Sequence, residues 1–565
     1  MRFSYVRLAI AASAAAILII GGWRAAPHLI WPLAAFLITA MLHARALNAR
    51  DRAQSAVAFY ERAIARVEGH WIGRGEQGER FRRPDHLYAE DLDLFGRGSL
   101  FELLSTARTR AGEDTLARWL LEPAAPGVVR DRQAAVRELG GKLDLREAIA
   151  ILGDGARVGV EAPALRTWAT APVRLHGTGP RVLFVILDAL TIAAIVYWAT
   201  TGMPIPFYVM AGLDAATAAW FKPRVVAVIE AVDEPASDLD LLTGVLALIE
   251  QQRFESPCLI SLHDRLGGSA RLASAEIGRL EQLVALLSSR GNVMFALPAA
   301  LMLWGTQFAF AIEAWRRRVG SHVPRWVDAI GEFEALSALA TFASEHQDYA
   351  FPEFVDGPAV LRADRVAHPL LGASAVANAA ALGGADPSLY VVSGSNMSGK
   401  STFLRALGAN VVLAHAGAPV RAARLQLTAV RVGASIRIQD SLHDGTSRFF
   451  AEITRLKHIV DLARSTDGHV LFLLDEILAG TNSHDRRLGA EALLTGLIDV
   501  GAIGLVTTHD LALGDIARQL EPRAANVHFE DRFEGDRLVF DYVLRSGVVQ
   551  TSNAIPLMRS IGFDI

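Results

Sequence analysis

The chain has 565 residues, more than one hydrophobic core supports, so two to four domains are expected. Apolar residues make up 52% and the mean hydropathy is +0.27, which argues against an ordinary soluble enzyme and for membrane segments. The net charge of −4 excludes a globally basic nucleic-acid binder, and the single cysteine, Cys258, excludes an internal disulfide or a cysteine-built metal site.

The first elements are apolar. Residues 8–23 form one apolar run, with Arg2 and Arg7 before it and Arg24 after it. Residues 29–42 form a second, followed by Arg45, Arg50 and Arg52. About 20 residues cross a bilayer as a helix, and about 17 suffice in short cases. Two such runs so close together predict a helical hairpin rather than a signal peptide. Arginines at both outer ends hold those ends in the cytoplasm.

Residues 59–61 read Phe-Tyr-Glu within a helical run, "AFYERAIARVE", and are read as helix surface and core. Arginine clusters follow at 74–84 and later at 313–326. Each suits phosphate, either of nucleic acid or of lipid headgroups. No base-reading element accompanies them.

A second apolar pair lies at 182–200 and 203–221, with Arg174 and Arg181 before it and Lys222 and Arg224 after it. The link between the runs is uncharged, so a second hairpin with the same orientation is expected. Asp188 and Asp214 lie inside these runs. They are expected at interface depth or against another helix. Residues 293–312 are also long and apolar, but Gln307 and Glu313 interrupt that stretch. A fifth crossing would also carry the C-terminal half, with its nucleotide motif, out of the cytoplasm. This stretch is therefore read as a buried core helix, which leaves four spans.

"VVSGSNMSGKST" at 391–402 fits G-x-x-x-x-G-K-[ST] in full. Gly394 and Gly399 let backbone N–H groups turn inward around phosphate oxygens. The helix predicted next points its positive N-terminus at the same place. Lys400 reaches the β- and γ-phosphates and Ser401 ligates Mg²⁺. Only four of the 56 basic residues are lysines, so a lysine at this position is hard to obtain by accident.

The complementary half lies downstream. "VLFLLDE" at 470–476 is an apolar strand that ends in two acids. Asp475 is placed to bind Mg²⁺ through water, and Glu476 to orient or deprotonate the attacking water. The strand predicted at 502–510 ends near His509, well placed to sense a γ-phosphate.

Between these halves, residues 438–463 carry a Gly-Thr-Ser turn that opens an amphipathic helix. Taken with "LLDEILAGTNSHDRRLG" and "TTHD", the region resembles the ATPase domain of the MutS family, a branch of the ABC-type ATPases. The likeness runs over most of 361–565 and extends upstream to 98–139, where Thr109 with Gly112 and Arg132 with Gln133 stand where the family has them. Residues 269–292 read as a lever helix. The resemblance implies an α/β P-loop domain at the C-terminus and an all-α core and lever region with transmembrane hairpins on its N-terminal side. It implies ATP with Mg²⁺ as ligands, and phosphate binding by Gly394, Ser395, Asn396, Met397, Ser398, Gly399, Lys400, Ser401 and Thr402. Asn396 would face the γ-phosphate and His509 would be the switch histidine. Ser447 would match the signature serine that reaches the γ-phosphate of the partner subunit, which implies a homodimer with composite sites. An aromatic that the family often has on the adenine, near Ala375, is replaced here by alanine. The Phe-Tyr-Glu run lacks the preceding glycine of a mismatch-reading motif, so the likeness is to membrane-associated MutS relatives without a mismatch-binding domain.

The expected organisation is a transmembrane hairpin at 1–48, a helical region at 49–360 with a second hairpin at about 182–221, and an ATPase domain with a C-terminal dimerisation tail at 361–565. The expected location is the inner membrane, multi-pass, with the ATPase domain in the cytoplasm. Three functions follow. One is an ATPase that contacts DNA by shape or backbone, with lipid and a repair or membrane partner around it. Another is an ABC-like engine that drives a membrane partner or transport without DNA. The third is a nucleotide-gated scaffold with little turnover.

Overall fold

A computed structural model describes residues 2–21, 28–154, 162–177, 179–233, 239–267, 272–292, 295–372, 374–395, 397–437, 448–466, 469–509, 511–534 and 537–549. Up to Glu345 the described chain is helical; all the strands lie beyond it.

The second helix runs unbroken for 38 residues, Ile30–Val67. Its first turns expose Trp31, Leu33 and Leu37, while its last turns bury Phe59 and Ala65 against the helical core. The boundary expected at 48 therefore falls inside one continuous helix. Helical hydrogen bonding has no reason to stop there, since 42–60 contains neither Gly nor Pro. Phe59 packs inward and Tyr60 Oη donates to Glu147 Oε2 at 2.6 Å, which gives the Phe-Tyr-Glu run a structural role.

Among the described residues, two helices are long and apolar enough to cross a membrane, Ile30–Val67 and Gly179–Thr201. The helix Arg2–Gly21 has a shorter apolar part, Val6–Ile17. The fourth expected span lies in Ile205–Asp233, which carries Pro223 and does not meet the same test. Gly179–Thr201 and Ile205–Asp233 pack as a pair, with Val185, Ile186, Val209 and Trp220 exposed on the outside. So much outward apolar surface is foreign to a water-facing helix pair. Asp188 and Asp214 turn inward: Asp188 accepts from Gln307 of a third helix, and Asp214 Oδ2 accepts from Thr191 Oγ1 at 2.7 Å. Of the two placements expected for them, the structure gives the contact with another helix.

The third apolar stretch is broken. Leu303 adopts φ 45° between the helices Ala296–Leu301 and Trp304–Val319, and the second of these buries Ala309, Phe310 and Ile312. Neither piece is long enough to span. The expected lever helix is Ala273–Ser288, 16 residues packed against Leu239–Glu250 and Trp304–Val319. It lies within the bundle and does not project from it.

The Thr-x-x-Gly pattern has a local cause. Thr109 caps the helix Arg110–Leu121 by accepting from Gly112 N at 3.2 Å. A Cβ on Gly112 would stand 2.4 Å from Glu334 Oε2, so only glycine fits beside that buried carboxylate. Glu334 in turn accepts from the N–H groups of Arg108 and Thr109 and from the Thr109 hydroxyl. Burial still pushes its carboxyl up to about 7.

The strands form two sheets. In chain order they are β1 (Glu353–Phe354), β2 (Leu361–Val366), β3 (Asn378–Leu382), β4 (Leu389–Ser393), β5 (Arg424–Leu427), β6 (Arg431–Ser435), β7 (Val470–Leu474), β8 (Ile503–Thr508), β9 (Ala524–Glu534) and β10 (Arg537–Ser546). The four-stranded sheet has the order β1-β5-β2-β3 and the six-stranded sheet β10-β9-β4-β8-β7-β6. From β9 to β6 the larger sheet is parallel, with β10 antiparallel at its edge. β4, β7 and β8 are buried almost throughout, as a parallel sheet covered on both faces requires.

The helical region and the sheets share one apolar core, which includes Leu92, Leu339, Leu361 and Leu404, so burial does not stop at residue 360. A polar seam joins them as well. Asp91, fully buried, accepts from Ile436 N at 2.8 Å and Arg437 N at 2.6 Å, and pairs with Arg455 at 2.9 Å. Gln133 Nε2 donates to Pro352 O at 3.0 Å, and Arg132 lies over the Trp119 ring at 3.8 Å and reaches His415 O.

Candidate functional site

The order of the parallel strands assembles the site. β8 lies between β4 and β7, with Ser393 opposite Thr508 and Leu474 opposite Val506. The carboxyl ends of three strands therefore open at one edge, where α/β sheets bind ligands. The P-loop follows β4, the two acids follow β7, and His509 follows β8.

The P-loop is shaped by glycine. Gly394 has φ 147°, and a Cβ there would stand 2.8 Å from Phe529 O and from Ser398 Oγ. Gly399 has φ 104° and leads into the helix Lys400–Ala416, whose first turn has no side-chain cap. Unfilled N–H groups at a helix N-terminus attract anions. Lys400 folds back over the loop, and Nζ donates to Gly394 O at 2.7 Å and Ser395 O at 2.9 Å. Burial pushes the Lys400 amine down, against the pull of Glu476, Asp475 and Asp531. Among the described residues, the hydroxyls of Ser395 and Ser398 are buried without a partner. Orphaned donors, an uncapped helix and a lysine that bonds only its own loop are a set of groups that fits phosphate oxygens. Ser401 is half-buried, while Met397 and Thr402 are exposed.

Asp475 is held by Thr507, whose hydroxyl donates to Oδ1, and Glu476 N donates to the same hydroxyl at 3.1 Å. Glu476 itself has φ 47°. A non-glycine residue there signals strain that the surroundings enforce. The enforcing groups lie just beyond: Glu452 accepts from Leu478 N, and Arg486 donates to the carbonyls of Leu478, Ala479 and Thr481. Glu476 Oε1 stands 3.3 Å from His509 Nδ1, so two residues expected separately are neighbours.

A cavity of about 590 Å³ collects Ser395, Met397, Gly399, Lys400, Ser401, Thr402, Asp475 and Glu476. Val366, His368, Leu371, Ala375, Val376 and Tyr542 line the same cavity. His368 is buried, which pushes its imidazole down to about 4, and it is neutral at pH 7. Asn396 and Ser447 lie outside the described residues. Among the described residues, no group of three or more His, Cys, Asp or Glu side chains could hold a metal ion. The oxygens nearest to such a role are Ser401 and Asp475 on the cavity wall.

Tyr542 was not legible as a site residue. Its φ is 57°, at a register shift in β10 between Phe540 and Leu544. Asn378 holds this irregularity by donating to Tyr542 O at 3.0 Å and accepting from Leu544 N at 2.7 Å. The ring is delivered to Gly399, where a Cβ would stand 3.1 Å from Tyr542 Cδ1. An aromatic thus reaches the cavity from the last strand, not from the position near Ala375. A bulge in an edge strand leaves no periodic trace in sequence.

Four arginines of the two clusters pair with carboxylates. Arg80 pairs with Glu113 and Asp114, and Arg82 with Glu90. Arg316 is buried on Glu313 at 2.8 Å, and Arg318 pairs with Glu276 at 2.9 Å. Clustered in sequence, these guanidiniums are spent on nearby carboxylates.

Residues 390–564 match the family model for MutS domain V. The chain is 35% identical over 243 residues to a DNA mismatch repair protein MutS of Natronomonas pharaonis, covering 41% of this chain and 27% of that protein. It is 32% identical over 252 residues to DNA mismatch repair protein MutS 2 of Halobacterium salinarum, covering 44% and 29%. It is 34% identical over 266 residues to a DNA mismatch repair protein MutS of Myxococcus xanthus, covering 44% and 29%. The chain thus spans less than a third of the length of these curated relatives.

Proposed function

We propose that this chain, whose C-terminal part is MutS-family sequence, is a membrane-anchored ATPase that hydrolyses ATP at the cavity between the P-loop and the two strand-end acids. One observation carries the reading: Lys400, Ser401, Asp475 and Glu476 line a single cavity, although they come from two separate parts of the chain. Lys400 exchanges its two loop carbonyls for the β- and γ-phosphates. The N–H groups of 394–402 and the free hydroxyls of Ser395 and Ser398 take the remaining oxygens. Ser401 and Asp475 hold Mg²⁺, which when bound neutralises charge on the phosphates. Glu476 orients the attacking water and accepts its proton, with His509 beside it to sense the γ-phosphate. Tyr542 and His368 close the base end of the cavity, the ring supplying the stacking surface that Ala375 lacks.

By resemblance, Asn396 faces the γ-phosphate and Ser447 completes the site of a second copy, which makes the working unit a homodimer. The assigned parts are a membrane hairpin at 1–48, a helical region at 49–360 and an ATPase domain at 361–565 that faces the cytoplasm. Four membrane passages fit the placement of arginines at the outer ends of both pairs. Reporters fused at residue 290 and at the C-terminus test this: same-side signals support it and opposite-side signals overturn it.

DNA contact, if the engine serves it as in the mismatch repair relatives, runs through backbone or shape and not through mismatch reading. A second reading, an engine coupled to a membrane partner without DNA, is favoured by the internal pairing of the arginine clusters. ATP hydrolysis by the detergent-purified chain, with and without duplex and branched DNA across a salt series, separates the two. Stimulation that fades steeply with salt assigns the engine to nucleic acid. Hydrolysis indifferent to DNA assigns it to the membrane.

A further inference from the structure

A second cavity, of about 300 Å³, lies where the Ile30–Val67 helix meets the helical core. Phe59, Arg66 and Trp71 line it from the stem side, Ser105 and Arg146 from the core side, and Arg74 is an exposed part of its wall. Arg146 is only 5% exposed. Its Nη1 donates to Thr341 Oγ1 at 3.0 Å and its Nη2 to Gly140 O at 3.0 Å, both neutral, and its Nε has no partner. Glu345, the carboxylate that acts on it most, is already gripped by Arg66 at 2.8 and 2.6 Å. Two buried guanidiniums therefore share one carboxylate.

Of the four acids on the cavity wall, Glu102 is committed to the N–H groups of Gly73, Gly75 and Gly98, Glu113 to Arg80, and Glu334 to Arg108 N and Thr109, while Glu76 is exposed and accepts from Gly78 N at 3.4 Å. The Ser105 hydroxyl is also buried without a partner. Burying a cation whose counter-charge is spent elsewhere is unfavourable. A bound anion would remove that cost and satisfy both orphaned groups.

We propose that this cavity binds a small soluble phosphorylated anion, held by Arg146 and Ser105 from within and by Arg74 at the wall. Its volume is about half that of the nucleotide cavity, which suits a phosphate group with a small organic part. A soluble source fits better than a lipid headgroup. Phe59 lies about 17 residues beyond the apolar run that ends at Leu42, which is roughly 25 Å along a helix axis. An anion here would brace the membrane stem against the core, because the stem and the core helices both border the cavity.

The test uses the full chain in detergent with the nucleotide cavity saturated by ADP; phosphate entering the γ-phosphate position that ADP leaves open would persist in Arg146→Gln and is separated in that way. Inorganic phosphate is titrated at constant ionic strength against chloride, and the melting temperature and heat of binding are read. A saturable rise in melting temperature is expected, weakened about tenfold or more in Arg146→Gln, with ADP affinity unchanged. Arg74→Gln, at an exposed position that does not endanger folding, is expected to weaken it several-fold. No saturable response at millimolar phosphate, or an equal response in both variants, overturns the proposal. A response only to vesicles of anionic phospholipid, lost in the variants, overturns the soluble ligand and moves the site to a headgroup.

Discussion

The two halves of the molecule treat buried polar groups in opposite ways. Several buried charges of the helical half are closed on themselves: Glu313 on Arg316, Glu102 on three backbone N–H groups, Glu334 on the cap at Thr109. At the P-loop, among the described residues, the hydroxyls of Ser395 and Ser398 have no partner and Lys400 bonds carbonyls of its own loop. Closed networks fix a fold, whereas open ones are kept for a ligand. The cavity at Arg146 is read as a site because two such open groups, Arg146 Nε and Ser105 Oγ, belong to residues that line it together.

The contrast can be broken by removing an open group. Lys400→Ala is expected to weaken ATP binding by about 100-fold or more, with little change in melting temperature. A large loss of stability with ATP binding intact would place Lys400 among the closed groups. Removing a closed group should do the reverse. Asp91→Ala strands two N–H groups and Arg455, and should cost about 3 kcal/mol, read as a lower unfolding midpoint in denaturant.

The two halves should also respond to pH with opposite signs. Glu334 is pushed up to about 7, so the folded state holds a proton that the unfolded chain has lost. Its contribution is complete below the ordinary carboxylate value and is lost as pH rises through about 7, on the order of 3 kcal/mol in all. His368 is pushed down to about 4, so its contribution is present above the ordinary imidazole value and is lost as pH falls through about 4. Melting curves of Glu334→Gln and His368→Asn against the parent, across both windows, should flatten the alkaline limb in the first and the acid limb in the second. The smallest effect is expected at the base end. Tyr542→Ala should raise the ATP dissociation constant about three- to tenfold at unchanged kcat, as the loss of one ring contact implies.

Much of the open half could be read from residues in order along the chain. The P-loop, the Asp475–Glu476 pair and His509 each close a strand, and a buried parallel strand announces itself as a short apolar run. The stretch 293–312 is expected as one buried helix, but it breaks at Leu303, and Gln307 and Glu313 lie inside the continuous helix Trp304–Val319. What escaped depends on long-range pairing. Asp91 meets Ile436 across 345 residues of chain, and nothing in either segment names the other. Tyr542 reaches the nucleotide cavity only through an irregular register. Clustering of arginines is visible in sequence, whereas the carboxylate partners that some of them find at Glu90 and Glu276 are not. The continuous helix Ile30–Val67 escaped because a change from apolar to charged composition resembles a boundary, although backbone hydrogen bonding carries straight through it.

The most direct test is ATP turnover by the purified full chain beside its Glu476→Gln variant, with bound nucleotide measured in the same samples. The account predicts that turnover falls by about 100-fold or more while bound ATP stays within a few-fold of the parent. Turnover at the parent's rate in the variant would contradict it.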